Sequence, residues 1–333
     1  MPFELVPPGT NINFLGQRRV SLAISVGLIV LSAIFALPSM NGIKVGLDFA
    51  GGTEVQLLFG EGTSVDESAL REVARAAGFV DASVVRFGEV EEREFLIKFT
   101  DASGVAPPDE EIPDGLAANT QVMLLEAAIQ GALGDFTEQR VEFVGARVGA
   151  ELREDGTKAL LYSAIAILAY VAFRFSSRFA PGAVVAVVHD LTITAGILVM
   201  MGEEFDLQIL AAMLAILGYS LNDTIIIYDR IRENMQLHTA VDLEDVLNTS
   251  VNQTLSRTVL TSLTTTLALL SLYFLGGEVI QPFAKTMLIG VIVGTYSSVF
   301  IASPLLLFLE RRYGDRDKQD GRKGTGVNKA VRA

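Results

Sequence analysis

Six long apolar runs constrain this sequence more than any other feature. Hydrophobic residues make up 50% of the 333 residues, and they are concentrated in these runs. A helix that crosses a bilayer needs ~20 mostly apolar residues, and each run is close to that length. The sequence therefore predicts six transmembrane helices, at residues 20–38, 158–175, 179–201, 207–228, 257–275 and 283–309.

The first run has a second interpretation. Arg18 and Arg19 precede it, as basic residues precede the apolar core of a cleavable signal peptide. The run is long, however, and a folded domain and five further spans follow it. These features favour a retained membrane anchor.

The placement of lysine and arginine predicts the orientation of the spans. The segment 1–19 and the tail 310–333 both carry basic residues, whereas the loops 202–206 and 276–281 on the opposite side contain none. We therefore expect both termini in the cytoplasm and residues 39–157 outside it. The tail is charged and has no apolar period, which is typical of a disordered segment.

Residues 39–157 are predicted to form one small α+β domain. Strands and helices alternate in the order βαββαβ, at residues 53–59, 64–77, 82–87, 93–99, 116–133 and 138–144. This order is that of ferredoxin-like domains. Ser64, with Glu67 three residues later, predicts the N-cap of the first helix. The many acidic residues of this domain are interpreted as a solvated face, with a cation-binding or partner-binding patch as the alternative.

The composition argues against several kinds of chemistry. The chain has no cysteine and only two histidines, so neither a thiolate site nor a histidine-rich metal site is expected. It contains no G-x-x-x-x-G-K-[ST] sequence, which argues against ATP hydrolysis by the chain itself. A net charge of −13 argues against a nucleic-acid partner. We expect a protein that is not an enzyme and that holds no cofactor and no metal ion.

Ionisable residues inside the predicted spans are the candidates for function, because a charge in the bilayer is costly. Asp223, next to Asn222, lies in the fourth span, and Arg257 opens the antiparallel fifth span at a similar depth. A carboxylate near an arginine is favoured in its charged form, whereas burial away from the arginine favours the protonated form. A change in their separation would move a proton on and off Asp223. The alternative is a static buried ion pair that fixes the helix register.

A second pair of ionisable residues lies near the middle of the third span. It consists of His189 and Asp190. Asp190 is a second candidate for carrying a proton, and histidine is the side chain that changes charge near neutral pH. A hydrogen-bonded structural pair is the alternative.

Polar and small residues recur on single faces of three spans. Hydroxyl groups on one face of the fifth span can bind a neighbouring helix or line a wet path; they belong to Thr254, Thr258, Thr261 and Thr265. Small residues predict close helix packing, in the fourth span at Ala211, Ala215, Gly218 and Asn222, and in the sixth at Gly290, Gly294, Ser298 and Ala302. Asp223 borders the first of these small-residue faces and is expected to point into the bundle.

Four stretches carry a resemblance to a known family. They are VGLDFAGGT at 45–53, VGARVGAELREDGTKALLYSA at 144–164, GYSLNDTIIIYDRIREN at 218–234 and NTSVNQTLSRTVLTSLTT at 248–265. Their sequences and their places among the spans resemble those of the SecD/SecF family. Six spans with one small domain favour the SecF branch over SecD, whose corresponding domain is larger. The resemblance covers the chain up to residue 312.

The resemblance implies an auxiliary subunit of the Sec protein-export machinery in the bacterial cytoplasmic membrane. The implied partners are SecD, the SecYEG channel with SecA, often YajC and YidC, the translocating preprotein and membrane lipid. SecD and SecF use the proton-motive force to draw preproteins outward, and their fold is related to the RND superfamily, in which two six-helix halves form one unit. A family aspartate and arginine implicated in proton conduction fall on Asp223 and Arg257, and His189 and Asp190 are carried over less firmly.

Two other functions are compatible with the sequence. One is a structural subunit that holds SecD to the channel without conducting ions. The other is an RND-type exporter of small molecules, although residues 39–157 are few for a porter domain. The coupling ion is expected to be a proton, with sodium as the alternative.

Overall fold

The computed structural model describes residues 6–7, 9–60, 65–87, 93–100, 114–175, 179–238, 240–277 and 279–312. The chain divides into two units. The helical unit consists of Met1–Lys44, Ala159–Glu203 and Gln208–Ala333, and the α+β unit of Val45–Lys158 and Glu204–Leu207. Residues 88–92 and 101–113, which lie between predicted elements, and the predicted tail after 312 lie outside the described residues.

The helices and strands follow each other in an order that matches the prediction. The helices are α1 (Arg18–Phe35), α2 (Leu47–Ala50), α3 (Glu67–Ala76), α4 (Asp114–Leu133), α5 (Ala146–Arg174), α6 (Ala180–Met201), α7 (Leu207–Leu237), α8 (Leu243–Leu275) and α9 (Gln281–Ser297). The strands are β1 (Lys44–Val45), β2 (Gly52–Phe59), β3 (Ser83–Phe87), β4 (Glu94–Phe99), β5 (Phe136–Val144) and β6 (Glu204–Phe205). A wide turn with the π-helical hydrogen-bond pattern, Ser298–Ala302, extends α9, so that the last span covers Gln281–Arg312.

Three of the spans extend well beyond their apolar runs, and α7 does so at its end, at Leu237 rather than at 228. α5 begins at Ala146 rather than at 158, and α8 begins at Leu243 rather than at 257. Hydropathy marks only the part of a helix that matches lipid, whereas polar turns remain helical when they are capped. Asp242 caps α8 in this way, because its side chain accepts a hydrogen bond from the backbone of Glu244.

The α+β unit has the predicted ferredoxin-like topology. Its four-stranded sheet has the order β3-β4-β2-β5, and all neighbouring strands are antiparallel. Alternate residues of β2 and β4 are buried in a core that also contains residues of α3 and α4, including Leu57, Ile97, Leu70 and Leu125. Asp66 caps α3 instead of the predicted Ser64, which lies outside the described residues, and the Asp66 carboxylate accepts a hydrogen bond from the Ala69 backbone.

The connection between the third and fourth spans forms part of the α+β unit. The Lys98 ammonium contacts Glu204 at 2.6 Å and Glu54 at 3.3 Å. Burial lowers the pKa of Lys98, but the two carboxylates outweigh it and the net shift is upward. The Asp48 carboxylate also accepts a hydrogen bond from the backbone of Leu207, the first residue of α7. Glu204 and Leu207 are therefore held by side chains of the α+β unit to which they belong.

Glycines allow close contacts between the spans. A Cβ atom at Gly196 of α6 would lie 1.8 Å from the Ser32 hydroxyl of α1. A Cβ atom at Gly290 would lie 2.2 Å from Ile216, and one at Gly294 would lie 3.0 Å from Ser220. Ile216 and Ser220 are both on α7. The predicted packing face of the last span thus contacts α7. α6 and the last span are the most buried helices, whereas α5 and α8 bury only 11% of their most apolar window inside this chain.

One end of the helical unit is rich in arginine, and we call it the basic end. Arg18 at the start of α1 contacts Glu244 at 2.5 Å, and Arg311 contacts the same carboxylate at 3.0 Å. Arg174 at the end of α5 lies 3.5 Å from Asp229. These pairs involve residues of five spans, on the side that the sequence assigns to the basic residues.

Glu126 is expected to make the stability of the α+β unit depend on pH. Its Oε1 atom is buried without a hydrogen-bond partner in the described part of the chain. Burial, followed by the nearby Glu138 carboxyl, raises the pKa of Glu126 from 4.5 to about 7. The folded state therefore binds this proton more tightly than the unfolded chain. The resulting stability is complete below pH 4.5 and is lost as the pH rises through about 7.

The free energy of unfolding of this unit should fall by on the order of 1 kcal/mol between about pH 5 and about pH 8, since partial exposure screens the effect. Hydrogen exchange of the α4 and β5 amides in the full chain, corrected for the intrinsic rate, measures it. Glu126→Gln should remove the pH dependence, and Glu72→Gln, at an exposed position of α3, should keep it. Equal pH dependence in the wild type and Glu126→Gln would contradict this assignment.

Candidate functional site

Asp223 lies in the interior of the helical unit. It is 2% exposed, and its Oδ2 atom is buried without a hydrogen-bond partner among the described residues. Ser220, one turn before Asp223 on the same helix, and Thr224, the residue that follows it, are also buried. A carboxylate without donors is costly in an apolar bundle. The Asp223 carboxyl therefore gains more than a paired one from a bound proton or from a donor that a movement brings near.

Arg257 does not pair with Asp223 in this structure. Within the described residues, no hydrogen bond or ion pair joins the two side chains, and Arg257 is exposed. Asp223 and Arg257, which the sequence predicts at a similar depth, are thus separated. Asp223 lies inside the protein, whereas Arg257 lies on the surface of this chain.

Hydrogen bonds between α7 and α8 explain the position of Arg257. Arg230 donates to Gln253 at 2.6 Å, and Asn234 donates to Ser250 at 2.9 Å. Because the two helices are antiparallel, this alignment brings Arg257 about one turn nearer the basic end than Asp223. Arg257 lines a cavity of about 410 Å³ there, and the other charged residues of its lining are Arg174, Asp229, Arg230 and Glu233.

The hydroxyl face of α8 lies partly inside the protein. Thr254 and Thr258 are buried, whereas Thr261 and Thr265 are half-buried. The Thr254 and Thr261 hydroxyls donate to carbonyls of their own helix, but the buried Thr258 hydroxyl has no partner in the described part of the chain. α7 and α8 therefore each contribute a buried oxygen without a partner, from Asp223 and from Thr258.

The small-residue face predicted on α7 is not a packing face within this chain. Ala211, Ala215, Gly218 and Asn222 are all exposed, and nothing lies within 4 Å of a Cβ atom built at Gly218. The opposite side of α7 packs instead, because Ile216 and Ser220 fit the glycines of the last span. Helical periodicity identifies a face, but it does not say which of two available faces a neighbouring helix takes.

Asp190 is the centre of a hydrogen-bond network that joins three helices. It is 1% exposed, and its Oδ1 atom contacts His189 Nδ1 at 2.8 Å. Its Oδ2 atom accepts hydrogen bonds from Ser220 of α7 and, at 2.7 Å, from Ser297 of α9. With three donors, Asp190 is satisfied as a carboxylate, in contrast to Asp223.

The network continues from His189 to the first span. His189 Nε2 contacts the Ser25 hydroxyl at 3.0 Å, and Ser25 contacts the Tyr296 hydroxyl at 3.2 Å. Tyr296 in turn donates to the Ser21 carbonyl at 2.8 Å. His189 and Asp190 are thus the central part of a longer polar chain between α1, α6 and the last span.

The sequence did not single out four members of this network, Ser25, Ser220, Tyr296 and Ser297. Serine is common in membrane helices and bonds to its own helix, so a serine inside an apolar run is a weak signal. The available signal was the polar cluster TYSS at 295–298 in an otherwise apolar span. In the described part of the chain, no group of three histidine, aspartate or glutamate side chains is placed to hold a metal ion.

Residues 125–312 match the model of the family described as "Protein export membrane protein SecD/SecF, C-terminal". The protein translocase subunit SecF of Desulfurispirillum indicum is 42% identical over 306 residues, which cover 91% of this chain and 93% of that protein. This chain belongs to the SecD/SecF family. SecF of Calditerrivibrio nitroreducens is also 42% identical, over 92% of this chain and 97% of that protein. The predicted membership of the SecF branch is confirmed.

Two solved structures have the same fold as this SecF family member. The crystal structure of SecDF, a translocon-associated membrane protein from Thermus thermophilus, is 37% identical and has a TM-score of 0.78, over 93% of this chain and 40% of that chain. SecDF in a super-membrane-facing form is 36% identical with a TM-score of 0.65, over 97% of this chain and 41% of that chain. The chain therefore spans about two fifths of the length of the SecDF proteins that it matches.

Removal of one donor to Asp190 should destabilise the helical unit. Ser297→Ala leaves the buried carboxylate with one hydrogen bond fewer, and a buried charged group that loses a partner costs roughly 1–3 kcal/mol. We expect a melting temperature several degrees lower for the full chain in detergent. Ser271→Ala, the same substitution at an exposed serine of α8, is the control. Equal melting temperatures for the two variants would show that Ser297 is not needed by Asp190.

Proposed function

We propose that this chain is the SecF subunit of a Sec protein-export complex in a bacterial cytoplasmic membrane, and that with SecD it uses the proton-motive force in late steps of preprotein translocation. The observation that carries the proposal is the buried carboxyl of Asp223, whose Oδ2 has no hydrogen-bond partner in the described residues. A group that is buried and unpaired changes its proton occupancy when its surroundings change.

Arg257 supplies the second part of the proposed mechanism. In this structure it lies on the surface of α8, beside a cavity at the basic end. We assign to it the role of a movable positive charge. When a helix movement brings the guanidinium toward Asp223, the carboxylate is favoured and the proton leaves. When the two separate, the buried carboxyl takes up a proton again.

SecD is the proposed partner of the helical unit. α5 and α8 bury 11% of their most apolar windows, and the small-residue face of α7 is exposed. The solved SecDF chains continue well beyond the part that this chain matches. These observations support a second half that covers the exposed helix faces. SecYEG, SecA, YajC and YidC remain partners proposed from the family, and both termini are proposed to lie in the cytoplasm.

The alternative is an assembly subunit that holds SecD without carrying protons. It is favoured by the absence of an Asp223–Arg257 contact within the described residues, because a proton carrier and its counter-charge are expected to meet at some stage. The two functions differ in what they require of Asp223. A carrier needs a titratable carboxyl, whereas a subunit that only assembles needs a side chain of the same shape.

Asp223→Asn should abolish the part of export that depends on the proton-motive force. The amide has nearly the size of the carboxyl but cannot release a proton. We expect preprotein translocation in membrane vesicles that hold SecD, SecYEG and SecA to lose its acceleration by the gradient, while SecD still co-purifies with the variant. Asp229→Asn is the matched control, because Asp229 is an exposed carboxylate on the same helix. Gradient-dependent export at the wild-type rate in Asp223→Asn would refute a role in proton transfer.

The coupling ion can be identified in the same vesicles. A single carboxyl buried among hydroxyl groups can hold either a proton or a sodium ion. We expect a proton ionophore to remove the acceleration and the replacement of sodium by potassium to leave it unchanged. The reverse pattern would assign the coupling to sodium and would leave the role of Asp223 as the ion-binding carboxyl intact.

A further inference from the structure

His189 lies in a chain of contacts in which the hydrogen atoms can be counted. The chain runs from Asp190 through His189 and Ser25 to Tyr296, with successive separations of 2.8, 3.0 and 3.2 Å. It ends at the Ser21 carbonyl, which accepts from the Tyr296 hydroxyl at 2.8 Å. His189, Asp190 and Ser25 are all at most 5% exposed, so these groups are shielded from bulk solvent.

A neutral His189 beside an ionised Asp190 leaves one contact of this chain without a hydrogen. The carboxylate only accepts, so Nδ1 must carry the ring hydrogen and Nε2 is bare. Tyr296 has one hydrogen, which the Ser21 carbonyl accepts. The single hydrogen of Ser25 then has two acceptors, Nε2 and the Tyr296 oxygen. One of these two contacts is left with two lone pairs facing each other.

One additional proton on the pair satisfies every contact. Nε2 then carries a hydrogen and donates it to Ser25, Ser25 donates to Tyr296, and Tyr296 donates to the Ser21 carbonyl. The result is the same whether the additional proton makes an imidazolium beside a carboxylate or a neutral imidazole beside a carboxylic acid. In both cases the pair has no net charge, which is the less costly state for a buried site in a membrane helix.

We propose that His189 and Asp190 form a second proton-binding site, separate from Asp223. Whether this site holds a proton determines the direction in which the Ser25 hydroxyl donates its hydrogen. With the proton bound, Ser25 donates to Tyr296 and ties α1 to the last span. On release, the Nε2–H bond breaks, the proton passes to a water molecule admitted as the helices part, and Ser25 turns its hydrogen to the bare Nε2. Ser25 then ties α1 to α6 instead.

The charged surroundings of this site are limited. The titratable groups that touch the imidazole chain in the described residues are Asp190 and the Tyr296 phenol. Asp223 lies on α7, three residues after Ser220, which donates to Asp190. Other described charged residues of α1, α7 and the last span lie near the helix ends; they include Arg18, Arg19, Asp229, Lys285 and Glu310.

The link to Asp223 passes through α7. Ser220 binds Asp190 and lies one turn before Asp223, so a change of charge at the His189–Asp190 pair acts on the same turn of the helix. This inference deepens the proposed use of a proton gradient and rests on it for its physiological role. The proton itself can be measured without any export, so the two proposals can fail separately.

The test uses the full chain in lipid nanodiscs with ¹⁵N-labelled histidine. The chain has two histidines, and exposed His238, which follows α7, gives a second set of ring signals for assignment in the same sample. At about pH 8, where a free imidazole is neutral, we expect His189 Nε2 to carry a hydrogen. A bare Nε2 in His189 under these conditions overturns the proposal, and this measurement needs no variant.

A pair of tyrosine variants tests whether the number of hydrogens in this chain of contacts determines the protonation of His189. Tyr296→Phe keeps the ring but removes the oxygen that competes for the Ser25 hydrogen, so that a neutral His189 becomes fully bonded. The ratio of protonated to bare Nε2 at fixed pH should fall about tenfold, the effect of one hydrogen bond. Tyr219→Phe, which removes a phenol oxygen without a hydrogen-bond partner in the described residues, should leave the ratio unchanged. An equal change in both variants, or none in Tyr296→Phe, contradicts the proposal.

Discussion

A carboxylate in the middle of an apolar bundle has to be supplied with hydrogen-bond donors, and the arrangement of the central helices follows from this constraint. Asp190 receives its donors from its own helix, from α7 and from the last span. These donors reach it only because the helices approach closely, and glycines at 290 and 294 make that approach possible. The hydrogen bonds to Asp190 and the close packing of the helices therefore occur at the same place, and each depends on the other.

The two buried aspartates of the helical unit have opposite surroundings. Asp190 is surrounded by donors, whereas one oxygen of Asp223 has none in the described residues. The first arrangement holds a particular set of helices together. The second leaves a buried oxygen without a donor in the described residues. The helical unit thus supplies donors to one of its two buried aspartates more fully than to the other.

The sequence predicted the six spans and the ferredoxin-like domain because each depends on a periodic pattern that local chemistry reveals. The predictions of the helix ends were less accurate. For example, α8 begins in a polar stretch, capped by Asp242, that hydropathy does not detect. Asp66, rather than the predicted Ser64, caps α3 and offers the same kind of oxygen two residues later. Asp190 and Asp223 could be chosen as candidates from their charge alone, but their partners depend on which faces of the helices meet, and single helices do not encode that choice.

The wide turn at Ser298–Ala302 in the last span has a consequence for how the helix transmits force. Two of its carbonyls are held by side-chain hydroxyls: Tyr228 donates to Ala302 at 3.1 Å, and Ser303 donates to Ser298 at 3.1 Å. At this point the continuity of the helix is shared between backbone and side chains. The turn is therefore a joint at which two side-chain hydroxyls, as well as the backbone, resist bending of the span.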